Sequence, residues 1–120
     1  MTVTLTEAEG RLRPGRMLIG GEWVAQGSGE FVHINPSTGR PHPPIAMAGP
    51  TEVDLAVAAA RAALAGWRSM PADGRRDALL RLAGLIRDHA RELGVLMSLD
   101  NGTPQSTAAI VPLAAADNFA

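Results

Sequence analysis

Apolar residues recur at Val53, Val57, Ala60, Leu64 and Trp67, in steps of four, three, four and three. That spacing places them on one side of an α-helix and predicts a helix over 51–67. Thr51 followed by Asp54 offers a capping-box-like start, and Glu52 and Asp54 lie where the helix dipole is positive. Gly66 weakens the helix just before Trp67, so the indole is expected to anchor the exit of the chain rather than another full turn. Each ordered residue costs roughly 1–2 kcal/mol of backbone entropy, and each large side chain returns about 1.5–3 kcal/mol on burial. This helix therefore needs a partner, and the helix that follows is the nearest one.

A second stripe runs through Leu79, Leu82, Ile86, Ala90 and Leu93, widened by Leu80 and Leu85, which implies contact on more than one side. Pro71 suits a first helical position, with Asp73 and Asp77 near the positive end and Arg87 and Arg91 near the negative one. Whether the helix breaks near His89 is not readable from the period. The stretch from Glu92 to Asp100, with Leu93, Leu96 and Met97 inside, stops at Asn101-Gly102, with Pro104 beyond. Residues 105–120 are helical in composition, but Pro112 inside them would cost roughly 3 kcal/mol in a straight helix. A kink or two short helices is expected.

Before these helices the pattern shortens. Met17-Leu18-Ile19 and Trp23-Val24 flank Gly20-Gly21, which predicts a tight β-hairpin. Phe31 to Ile34 reads as another short strand, ended by the turn residues Asn35 to Gly39. Pro41, Pro43 and Pro44 crowd the return, so Ile45 to Ala48 is at best a short or edge strand. Residues 1–16 show no period and are expected to be a flexible arm. The chain thus divides into an arm over 1–16, a β-hairpin and short-strand region over 17–50, and a helical layer over 51–120.

Composition narrows the chemistry. The 120 residues suffice for one domain at most, and 46% hydrophobic against 19% charged residues argues for a folded, helix-leaning chain rather than a disordered one. Eleven basic against 12 acidic residues leave no electrostatic footprint for nucleic acid or a membrane surface. No run of eighteen apolar residues and no signal-peptide core follows Met1, so the expected compartment is the cytoplasm. With no cysteine there is no disulfide, zinc-thiolate site or thiol nucleophile; with no lysine there is no Schiff base or P-loop lysine. His33, His42 and His89 are too scattered for a metalloprotease pair, and no glycine fingerprint for phosphate is present.

Other residues have structural readings. His42 and His89 lack an evident partner, and the His33 ring fits a surface or cross-strand place. Trp23 and Trp67 suit packing anchors. Arg75, Arg76 and Arg81 fit a solvated helix face with Asp77 pairing Arg81. Phe119, one residue from the last, would have little to pack against if nothing followed, so the chain looks cut rather than finished.

Taken in order, MLIGGEWV, INPSTGRP, AVAAARAALAGW, PADGRRDALLRLAGLIRDHARELG and LDNGTP resemble the amino-terminal segment of the NAD(P)-dependent aldehyde dehydrogenase superfamily, over residues 17–120. The departures are Pro41 to Pro44, where the family more often runs a smooth strand, and Thr103, where it commonly has lysine. The resemblance implies an α/β fold: the β-hairpin and helical layer of an incomplete, Rossmann-like cofactor domain. It also implies an enzyme with a nucleophilic cysteine, a glutamate-activated water and an oligomerisation arm, oxidising a small aldehyde with NAD or NADP as a homodimer or homotetramer. None of that machinery falls in these residues, so no catalytic or cofactor-binding residue is expected here and the chain alone is expected to be inactive, its partner being the remainder of the enzyme chain. One site does carry over: a monovalent cation held by the carbonyls of His33 and Ile34 and by Asp100. Asp100 closes a helix where the dipole is negative, unfavourable by roughly 0.3–1 kcal/mol without a nearby cation. An exposed aspartate, or one paired with an arginine, is the competing reading. A stand-alone helical module that binds a partner through its unburied stripe is the alternative function.

Overall fold

The computed structural model describes residues 5–10 and 12–120. In chain order the elements are α1 (Leu5–Glu9), β1 (Met17–Ile19), β2 (Glu22–Val24), β3 (Gly29–Phe31), β4 (Ile45–Met47), α2 (Pro50–Ser69), α3 (Ala72–Asp88), α4 (Ala90–Asn101), α5 (Gln105–Ala108) and α6 (Val111–Asp117). They form two compact units. One joins the amino-terminal residues through Leu12 with Ile34–Arg40 and Ala72–Ala120; the other holds Arg13–His33 and Pro41–Pro71. α2 thus belongs with the strands, and the turn at Asn35 with the later helices.

In the strand-bearing unit, β1 and β2 pair antiparallel with Leu18 opposite Trp23. Gly20 and Gly21 both have positive φ, 61° and 89°, the two-residue turn that glycine permits. The second pair sets Phe31 of β3 opposite Ile45 of β4. The strand expected over Phe31 to Ile34 is displaced to Gly29–Phe31, where the main chain finds its partner in β4. Gly15 bridges Ile45 in parallel, its amide donating to the Pro44 carbonyl at 2.9 Å. That bond gives the proline-rich approach to β4 an acceptor role that needs no N–H.

α2 begins one residue before the expected start. Gly49 is its N-cap, and Glu52 Oε2, rather than Thr51 or Asp54, accepts the Gly49 amide at 2.7 Å. The helix continues past Gly66 to Ser69, so the expected exit at Trp67 lies inside the last turn. Within its unit α2 packs on β1, with the hairpin turn over Ala59: a Cβ on Gly20 would stand 3.5 Å from the Ala59 Cβ. Ala59 and the half-buried Glu52 lie seven positions apart on one face, about 100° around the helix from the stripe. The stripe itself is open, with Val53 51%, Leu64 49% and Trp67 42% exposed. α3 packs on α4 and α6 within its own unit.

The helical unit is built on small residues. Ala83, Ala108 and Ala116 are essentially inaccessible, whereas the expected stripe residues Leu79, Leu82 and Leu93 remain well exposed. A Cβ on Gly94 would lie 2.6 Å from the Ala108 carbonyl oxygen, so α4 and α5 cross backbone to backbone. Correspondingly, α4 buries Gly94, Val95, Ser98 and Leu99, and Ala90 of the expected stripe, but not Leu93, Leu96 and Met97. Close approach selects the face with the shortest side chains, which hydrophobicity alone does not rank first. The helix does break at His89, and α4 ends in a left-handed Gly102 (φ 75°), whose amide donates to the Ser98 carbonyl at 3.1 Å. Past Pro104, α5 and α6 are two short helices, with Pro112 in the first turn of α6, where a missing N–H breaks no bond.

The arm is not wholly irregular. Residues 1–4 and Arg11 of the expected flexible arm lie outside the described residues, but Leu5–Glu9 form α1, and Ala8 is buried with Val95 and Leu99 of α4. Alanine leaves no period to read, yet its contact with α4 supplies the order a bare arm lacks.

Candidate functional site

The turn that follows Ile34 is organised by Asn35, which is 2% exposed. Its Oδ1 accepts the amides of Ser37 at 2.9 Å and Thr38 at 3.2 Å, the pattern of an Asx turn. Its own amide donates to the Arg40 carbonyl, and its carbonyl accepts the Gly39 amide. The Nδ2 group donates to Glu9 Oε1 at 3.2 Å, so every polar function of this buried side chain is engaged. Pro36 then packs against the end of α4, since a Cβ on Gly102 would come within 3.1 Å of the Pro36 Cγ.

This contact brings together two of the three expected cation-site segments. Ile34 lies two residues before Pro36, and Asp100 two before Gly102, in the same unit. His33 belongs to the other unit, where its carbonyl accepts the His42 amide at 2.8 Å. Asp100 is exposed in the last turn of α4, where the helix dipole is negative. Main-chain carbonyls and carboxylates are the oxygen donors that a hard cation takes. Among the described residues no three or more His, Asp or Glu side chains converge as metal ligands, so any such site depends on main-chain oxygen.

The remaining candidates find local partners. His42, expected to stand alone, stacks on His33 with ring centroids 5.5 Å apart and planes 12° apart, and His33 in turn meets Phe31 at 6.3 Å. His89 likewise has a partner, Glu92, at 3.3 Å. Asp77 pairs with Arg76 at 2.9 Å rather than with Arg81, an exposed contact of the kind worth about 0–1 kcal/mol. Trp23 is not a buried anchor. It is 60% exposed, and the Arg16 guanidinium lies 5.0 Å from its ring centre, a cation–π contact. Glu9 and the buried state of Asn35 were missed from sequence; the NP-x-TG turn marked the place, but its anchor sits 26 residues away.

With no cysteine or lysine in the chain, nothing here supplies a thiolate or an amine nucleophile. Comparison with known proteins gives the family. A model of the aldehyde dehydrogenase family matches residues 23–120. The chain belongs to that family. It is 40% identical over 104 residues to acetaldehyde dehydrogenase 2 of Cupriavidus necator, covering 84% of this chain and 20% of that protein. The crystal structure of HpcC from Thermus thermophilus superposes with a TM-score of 0.91 at 36% identity, over 96% of this chain and 23% of that one. PnpE, solved in complex with nicotinamide adenine dinucleotide, superposes at 0.84 with 32% identity, over 89% of this chain and 22% of its own. The α/β elements described above are thus those of an aldehyde dehydrogenase, and the chain spans about a fifth of the length of the curated relatives it matches. No described helix is long and apolar enough to cross a membrane.

Proposed function

We propose that these residues form the amino-terminal supporting layer of a cytoplasmic, homo-oligomeric enzyme that oxidises a small aldehyde to a carboxylic acid with NAD or NADP. The observation that carries the reading is the superposition of 96% of this chain on under a quarter of a solved neighbour. The names of relatives, which include phenylacetaldehyde and malonate-semialdehyde dehydrogenases, support an aldehyde substrate. Neighbours described as bound to NAD or as NADP-dependent support a nicotinamide cofactor. In this reading the catalytic thiol lies outside residues 1–120, since none is present within them. The stand-alone interaction module is not favoured, because the relatives it matches are enzymes of which this stretch is a fifth.

The same proposal keeps a monovalent cation at the carbonyls of His33 and Ile34 and the carboxylate of Asp100. Its support is the position of Asp100 at the negative end of α4 and the contact of Pro36 with Gly102. A cation there would tie the Asn35 turn to the helix end.

The activity is tested by the absorbance of reduced nicotinamide. The longest natural polypeptide carrying these residues is expected to reduce NAD⁺ or NADP⁺ only when an aldehyde is added, and residues 1–120 alone are expected to give no signal. Activity from residues 1–120, or none from the longer polypeptide with a panel of aliphatic and aromatic aldehydes, contradicts the proposal.

A further inference from the structure

Among the described residues, two contacts tie α1 into the helical unit. Ala8 is 7% exposed against Val95 and Leu99 on α4, and Glu9, the last residue of α1, accepts the Asn35 Nδ2 at 3.2 Å. Asn35 holds the turn over 34–40 through Ser37, Thr38, Gly39 and Arg40, and Pro36 of that turn rests on Gly102 at the end of α4. A continuous set of contacts therefore runs from the amino-terminal helix, through one buried amide, to the helix end that carries Asp100. Losing the acceptor of a buried amide leaves its donor unpaired where water has little access.

We propose that α1 is a strap, with Glu9 as a positioning residue that seats the Asn35 turn on the end of α4 and so tunes how tightly the Ile34 carbonyl and Asp100 hold a monovalent cation. The effect on the cation rests on the cation site proposed above; the strap itself rests only on the contacts among Glu9, Asn35, Pro36 and Gly102. The carboxylate is not needed as a charge, because a glutamine at position 9 offers the same carbonyl oxygen to the Asn35 amide.

The test compares Glu9→Ala with Glu9→Gln in the longest natural polypeptide that carries these residues, by hydrogen exchange at the Ser37 and Thr38 amides and by thermal shift against potassium concentration. Glu9→Ala is expected to speed exchange at these two amides roughly fivefold to tenfold, with the amides of α4 unchanged, and to raise the half-saturating potassium concentration several-fold. Glu9→Gln is expected to behave as wild type in both. Alanine is the better helix former, so a loss with Glu9→Ala is not a loss of helix propensity. Unchanged exchange in Glu9→Ala, or equal changes in the two variants, overturns the strap. If exchange responds as stated but no variant, wild type included, shows a potassium dependence, the cation reading fails and the strap stands as a stabilising contact alone.

Discussion

Replacing Asn35 with leucine is expected to destabilise the helical unit by about 2–4 kcal/mol, because three hydrogen bonds, from the Ser37 and Thr38 amides and to Glu9, are lost and each contributes about 0.5–1.5 kcal/mol. Leucine keeps the γ-branch of asparagine but replaces its amide with methyl groups, so every hydrogen bond of the side chain is lost. Asn35→Asp separates the two ends of the side chain. It keeps an acceptor for the Ser37 and Thr38 amides but sets a carboxylate against Glu9, 3.2 Å away across the present bond. Adding Glu9→Gln should therefore recover part of the loss in Asn35→Asp and none of it in Asn35→Leu. Chemical denaturation of the four proteins measures this as a coupling energy, and equal effects of Glu9→Gln in both backgrounds would refute the assigned geometry.

Gly94→Val is the second large effect. On helix propensity alone the replacement of glycine would be neutral or favourable by up to about 1 kcal/mol. Against that, its Cβ would sit 2.6 Å from the Ala108 carbonyl oxygen and 3.1 Å from the Ala108 carbonyl carbon, atoms of a backbone that cannot rotate aside. Overpacking of this kind costs typically 1–3 kcal/mol, and the γ-methyls of valine widen the overlap. A net loss of about 2–3 kcal/mol is expected, with Gly94→Ala intermediate, read as a fall in the denaturation midpoint. Gly84, also in a helix, has nothing within 4 Å of a built Cβ, so Gly84→Ala should be neutral or mildly stabilising and serves as the control.

Punctuation was the legible part of this chain. Gly20-Gly21 marked a hairpin, Gly102 stopped α4, Pro112 split the last helical run, and Asn35-Pro36 made a turn, each because one residue type restricts the backbone in one way. Packing was less legible. A pattern that weights leucine over alanine put the core of α3 at Leu79, Leu82 and Ile86, whereas the inaccessible residue of that helix is Ala83. The contact between α4 and α5 requires absent side chains, and an absence has no period. In α2 the periodic stripe is about half exposed, and the residue under the hairpin turn at Gly20 is Ala59, which lies off that stripe. The order of the family's pieces identified its class, because five short segments in sequence carry information that no single amphipathic helix does. Of the candidate site, Ile34 and Asp100 fall in one unit and His33 in the other, and the bond between Asn35 and Glu9 crosses 26 residues and left no local trace.

In the function proposed above, the exposed face of α2, with Val53, Val57, Leu64 and Trp67 each more than two-fifths open to solvent, would be covered by the rest of the enzyme. Differential scanning calorimetry of residues 1–120 alone, run beside binding of a hydrophobic dye, measures this most directly. The expected result is a broad, low-enthalpy transition with strong dye binding before it, since the apolar faces would have nothing to cover them. A single sharp transition with the full enthalpy of a 120-residue domain and no dye binding would show a self-sufficient fold and contradict the account.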